Sequence, residues 1–129
     1  MKKTILTLSM AFLFLGNGLM ANKTQSKVEF TSEIKAGVEI SSFCKAVMQG
    51  DADTVKRMIQ LGEDVNQKSL GMTPAMFASR YNKAEVLQIL IDHGADLKIR
   101  SNRGFSARKY AELSNATDAL TVLEAASNS

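Results

Sequence analysis

GMTPAMFASRYNKAEVLQILIDHGAD, residues 71–96, carries two short helical patterns joined by a turn. Thr73 is placed to cap a helix, and Pro74 suits that helix's first turn. The helix runs to about Arg80, and Tyr81-Asn82 makes a short turn. A second helix carries Leu87, Leu90 and Ile91 at i, i+3 and i+4, an apolar stripe of helical period, and ends at Gly94.

The same markers recur along the chain. Gly62-Glu63-Asp64-Val65-Asn66 matches Gly94-Ala95-Asp96-Leu97-Lys98 at an offset of 32. Gly71-Met72-Thr73-Pro74 matches Gly104-Phe105-Ser106-Ala107 at an offset of 33. One residue is therefore missing from the first connecting loop, between Asn66 and Gly71. Val55, Met58 and Ile59 take the places of the apolar stripe in the first unit, and Leu120 and Leu123 do so in the third. Ala46, Ala78 and Ala111 align in the first helices, where small side chains let neighbouring helices approach closely. A fixed period of this length predicts an all-α solenoid of helix-turn-helix units.

These residues resemble the ankyrin repeat. The middle unit carries most of the pattern: Gly71-x-Thr73-Pro74, Ala78, Glu85-Val86-Leu87 and Gly94-Ala95-Asp96. The resemblance covers residues 41–126 and implies three repeats, 41–72, 73–105 and 106–126, followed by a tail, 127–129. It also implies a finger-like loop projecting between successive repeats. There are departures. Met76 replaces the family's usual His, with Cys44 and Lys109 at the aligned places, and Ser106-Ala107 stands for Thr-Pro. Val86, Leu87, Ile89, Leu90 and Ile91 are all apolar, as a helix between two neighbours requires. Thr54 and Arg57 align with Val86 and Ile89, and Glu124 aligns with Ile91. Each end of the array thus turns polar on one side, which predicts three repeats and no fourth.

Residues 1–21 read as a secretory signal peptide: Lys2 and Lys3, an apolar stretch from Ile5 to Leu15, the breakers Gly16-Asn17-Gly18, and Ala21 at the cleavage position. The apolar stretch is short against the roughly 20 residues that span a bilayer. No Cys lies near the cleavage region to carry a lipid. The expectation is a bacterial periplasmic or secreted protein with no membrane association after cleavage. Residues 22–40 fall outside the repeat. Val28, Phe30, Ile34, Val38 and Ile40 are expected to form an arm or cap over the outer side of the first repeat.

The whole chain of 129 residues has a formal net charge of +3. Removing Lys2 and Lys3 from its 16 cations leaves 14 against 13 carboxylates, a net of +1. That near-balance, with export, disfavours a nucleic-acid partner. The single Cys excludes a disulfide framework within the chain. His93, the one His, lacks the partners of a triad or metal site and is expected at a helix C-terminus, where its partial positive charge meets the dipole. Asp51 and Asp53 open a helix and read as capping carboxylates. Asp64 and Asp96 read as structural members of the Gly-x-Asp loops. No phosphate loop, zinc spacing or calcium loop is present. Neither an enzyme nor a cofactor is expected.

The resemblance implies a binding face built from the fingers and the exposed residues of the first helices. Aligned on this chain, that face is Met48 and Gln49, then Lys68, Leu70 and Met72 in the first finger. Arg80 and Tyr81 follow from the second unit, then Arg100, Asn102, Arg103 and Phe105 in the second finger. Tyr and Arg are enriched at interface hot spots, and the arginines can pair bidentately with carboxylates. The leading expectation is a monomeric protein-interaction module that binds, inhibits or protects a protein partner. The alternative is a redox-protective protein acting through Cys44, with only four of the seven Met residues left once Met1, Met10 and Met20 are removed.

Overall fold

Each repeat begins where a polar side chain closes the first turn of a helix. Ser41, Thr73 and Ser106 accept the amide N–H three residues on, from Cys44, Met76 and Lys109, at 3.2, 3.3 and 3.2 Å. In the computed structural model, which describes residues 39–129, these caps open the inner helices α1 (Ser42–Gln49), α3 (Pro74–Arg80) and α5 (Ala107–Leu113). α1 and α5 are each followed by an outer helix, α2 (Ala52–Gln60) and α6 (Thr117–Ser127); α3 is followed by α4 (Ala84–Asp92). The signal segment, 1–21, and most of the expected arm, 22–38, lie outside the described residues.

Residues 40–129 form one unit. α3 packs between α1 and α5, and α4 between α2 and α6, so inner and outer helices make two layers. The all-helical solenoid of three repeats is observed as expected, with one isolated bridge between Ser69 and Met72 among the described residues. Within each repeat the helices are joined by a tight turn through a left-handed residue: Gly50, Asn82 and Asn115, at φ 72°, 55° and 51°. Asn is among the few side chains that adopt this conformation readily. Asn82 also accepts the Ala119 N–H at 3.0 Å, closing the start of α6, where Ala116 offers no side-chain cap. The turn of one repeat thus caps a helix of the next.

The core lies between the layers. Ala46, Ala78 and Ala111 are buried and let the inner helices pack closely. Leu87 and Leu90 are fully buried, each contributing about 1.5–3 kcal/mol of transfer free energy. α4 buries Val86, Leu87, Ile89 and Leu90, whereas α2 buries Val55 alone and α6 buries Ala119 and Leu123. Ile40, the one apolar arm residue described, packs against this core.

The departures from the family pattern are absorbed locally. The Met76 sulfur accepts the Thr73 N–H at 3.4 Å, completing a reciprocal cap where the family usually has His. His93 ends α4, its Nδ1 2.8 Å from the Ile89 carbonyl oxygen. Asp51 caps α2, accepting the Thr54 amide at 3.2 Å and the Thr54 hydroxyl at 2.7 Å. Those bonds hold the Asp51 carboxyl below the usual range, the hydroxyl bond most of all.

Candidate protein-binding face

The two fingers are hairpins of different length. In the first, Ser69 and Met72 exchange backbone hydrogen bonds of 2.9 and 3.1 Å across Leu70-Gly71. A two-residue hairpin of this kind needs both central residues left-handed, and Leu70 and Gly71 stand at φ 51° and 79°. In the second, the Ser101 N–H donates to the Phe105 carbonyl at 2.9 Å across three residues, Asn102, Arg103 and Gly104. Only Gly104, at φ 83°, is left-handed there. The residue missing from the first loop is therefore missing from the finger tip.

The fingers are tied together. The Asn102 N–H donates to the Gly71 carbonyl at 3.0 Å, and Lys68 Nζ donates to Asn102 Oδ1 at 3.5 Å. The Ser101 hydroxyl oxygen is buried and accepts the N–H groups of Arg103 and Phe105 at 3.3 and 3.1 Å. Arg100 donates to the Gly104 carbonyl at 3.2 Å. The loops between outer helices and fingers are held in the same manner. Asp64 and Asp96 accept the amides two residues on, and Asn66 bonds both Gly94 and Asp96 of the next repeat. This agrees with the structural role expected for both Asp residues.

The expected face resolves into two groups. Lys68, Leu70, Arg100 and Arg103 are exposed on the fingers. Gln49, Arg80 and Tyr81 are exposed, and Met48 half-buried, at the far ends of α1 and α3. The length of an inner helix, about 10 Å, separates the groups. The Arg80 guanidinium lies 5.7 Å from the Tyr81 ring centroid, a cation–π contact at an exposed site.

One member needs correction, and two more are engaged within the chain. Met72 is buried, because the tight hairpin turns its side chain into the core, and it is unavailable for contact. Asn102 is a strut between the fingers: a Cβ added at Gly71 would lie 2.7 Å from its amide nitrogen. Phe105 is half-buried and packs edge-on against Tyr110, with ring centroids 5.7 Å apart. The structure adds Leu113, which is 60% exposed; the 33-residue offset that relates the last two repeats aligns it with Arg80. It adds Arg108 and Lys109, which with Arg100 and Phe105 line a cleft of about 270 Å³ at the base of the second finger.

Cys44 is fully buried, and burial pushes its thiol pKa up. A thiolate or an accessible sulfur is what redox chemistry needs. The Cys44 reading loses its physical basis, since α1 packs its first turn into the core.

A family model described as ankyrin repeats, in three copies, matches residues 43–128, and the chain belongs to that family. Among curated proteins, the human ankyrin repeat and SOCS box protein 11 is 39% identical over 59 residues, covering 46% of this chain and 18% of that protein. The human 2-5A-dependent ribonuclease is 30% identical over 86 residues, 64% of this chain and 12% of that enzyme. This chain therefore spans less than a fifth of either relative. Among solved structures, one similar chain is from the predatory endopeptidase Bd0816 of Bdellovibrio bacteriovorus in complex with immunity protein Bd3460. The TM-score is 0.63 at 28% identity, with 68% of this chain and 47% of that chain covered. Ankyrin repeats bind protein partners and are generally non-enzymatic. No helix among the described residues is long and apolar enough to cross a membrane.

Proposed function

We propose that this chain is an exported, non-enzymatic binding protein whose fingers and inner-helix ends dock on a protein partner and restrain or protect it. The observation that carries this reading is Leu70. It is 62% exposed and held at φ 51°, on a tip fixed by hydrogen bonds to the second finger. Left-handed backbone costs a residue such as Leu about 1–2 kcal/mol. Leu70 gets little burial in return, as is common where backbone strain serves a site. An apolar side chain presented on a preorganised loop is suited to insert into a partner at little entropic cost.

The likeness to a chain of the endopeptidase–immunity protein complex supports an enzyme as the partner. Lys2-Lys3, the apolar run Ile5 to Leu15 and Ala21 support export to a bacterial periplasm or beyond. The test is capture of partners by the tagged chain in its own cells, identified by mass spectrometry and compared with the Leu70→Asn and the paired Arg80→Ala, Tyr81→Ala variants. One dominant partner, lost with these folded variants, is expected. A partner retained by both variants removes this face. An N-terminus at or next to Asn22 on the captured chain is expected of export, and an intact Met1 overturns it.

A further inference from the structure

We infer that the partner presents an acidic segment to the second finger, where Arg100, Arg103 and Lys109 receive its carboxylates. This rests on the reading that the finger side binds protein, and it names the partner's chemistry. Residues 98–109 hold five cations, Lys98, Arg100, Arg103, Arg108 and Lys109, and no carboxylate. Glu112 is the one acidic residue on the inner helices, and neither finger, 67–72 or 98–105, carries any. The other carboxylates of residues 40–129 stand on the outer helices and the loops that flank them.

The charge on this side is available. Arg108 is engaged by Glu112 at 3.2 Å and Glu124 at 3.3 Å. Arg100, Arg103 and Lys109 have no carboxylate partner among the described residues. Arg100 and Lys109 border the 270 Å³ cleft, Phe105 lines it with an apolar surface, and Glu112, paired with Arg108, is its one carboxylate. Arg100 is positioned by its bond to Gly104, and the finger by the buried Ser101 hydroxyl. A held guanidinium beside a ring, where the one carboxylate, Glu112, is already engaged by Arg108, suits carboxylates next to an apolar side chain.

The probe is fluorescein-labelled poly-L-glutamate of about twenty residues, titrated into the full chain. Binding is expected, weakening about tenfold or more between low and physiological salt as screening sets in. The pair Arg100→Glu, Arg103→Glu is expected to weaken it at least about tenfold. The pair Lys56→Glu, Arg57→Glu on α2 changes net charge equally and is expected to leave it within about twofold. Circular dichroism confirms that each variant is folded. No binding by the folded chain, equal loss in both pairs, or tighter binding of oligo-dT than of poly-glutamate overturns the inference. A captured partner lost with Leu70→Asn but unmoved by the Arg100/Arg103 pair overturns this inference and leaves the proposed function standing.

Discussion

The two fingers connect equivalent repeats and differ by one residue at the tip. The shorter one puts an exposed Leu70 into left-handed backbone beside Gly71. The longer one keeps Asn102 and Arg103 out of that region and leaves the left-handed position to Gly104. The extra residue leaves glycine alone in the left-handed region of the second finger. One residue of length therefore changes the backbone energetics of a loop whose flanking helices keep the same lengths.

The comparison is broken most severely at the glycines. Gly71→Ala meets both the left-handed φ and the Asn102 side chain, while Gly104→Ala meets the φ with open space around it. The expected losses are about 2–3 kcal/mol for the first and about 1–2 kcal/mol for the second by urea denaturation. Equal losses would show that the finger–finger contact is slack. Ser101→Ala removes one buried oxygen that satisfies two amides of the second finger, for an expected loss of about 1–2 kcal/mol. Hydrogen exchange of Arg103 and Phe105 should accelerate in that variant while the Ser69–Met72 pair stays protected.

Leu70→Asn sharpens the contrast in the other direction. Asn-Gly is the preferred pair for a two-residue hairpin, so the variant is expected to gain about 0.5–1 kcal/mol while losing partner affinity. A variant less stable than the parent would mean that Leu70 makes contacts its exposure does not suggest. The smallest effect lies away from both fingers. Because the Asp51 pKa is lowered on folding, its contribution is present above the ordinary carboxylate value and is lost as pH falls through the folded one. Below about pH 4 the parent should therefore lose slightly more stability than Asp51→Asn, read as the shift in urea midpoint between pH 7 and pH 3.

Much of the fold was legible because its signals are short-range. Thr73 and Pro74 start a helix from within four residues, and Leu87, Leu90 and Ile91 mark one face by their spacing alone. The exposure of part of the candidate face was legible too. Arg80, Tyr81, Arg100 and Arg103 are exposed where the repeat pattern placed them. The burial of Met72 and the finger-to-finger contact of Asn102 were not legible, because loop side chains have no period. Met72 turns inward with a hairpin whose geometry the missing residue dictates, and Asn102 meets a neighbour thirty-one positions away. Leu113 was missed although the offset pointed to it.

The three repeats, their capped helices and the polar ends of the array follow from local signals in the chain. Each depends on residues within a turn or on a strict period, and these survive without knowledge of the neighbours. The folded chain was needed to show that Asn82 caps a helix in the following repeat and that Asn102 ties the second finger to the first. Those outcomes depend on contacts between repeats, where packing against a distant backbone sets which side chains turn in and which are left in water.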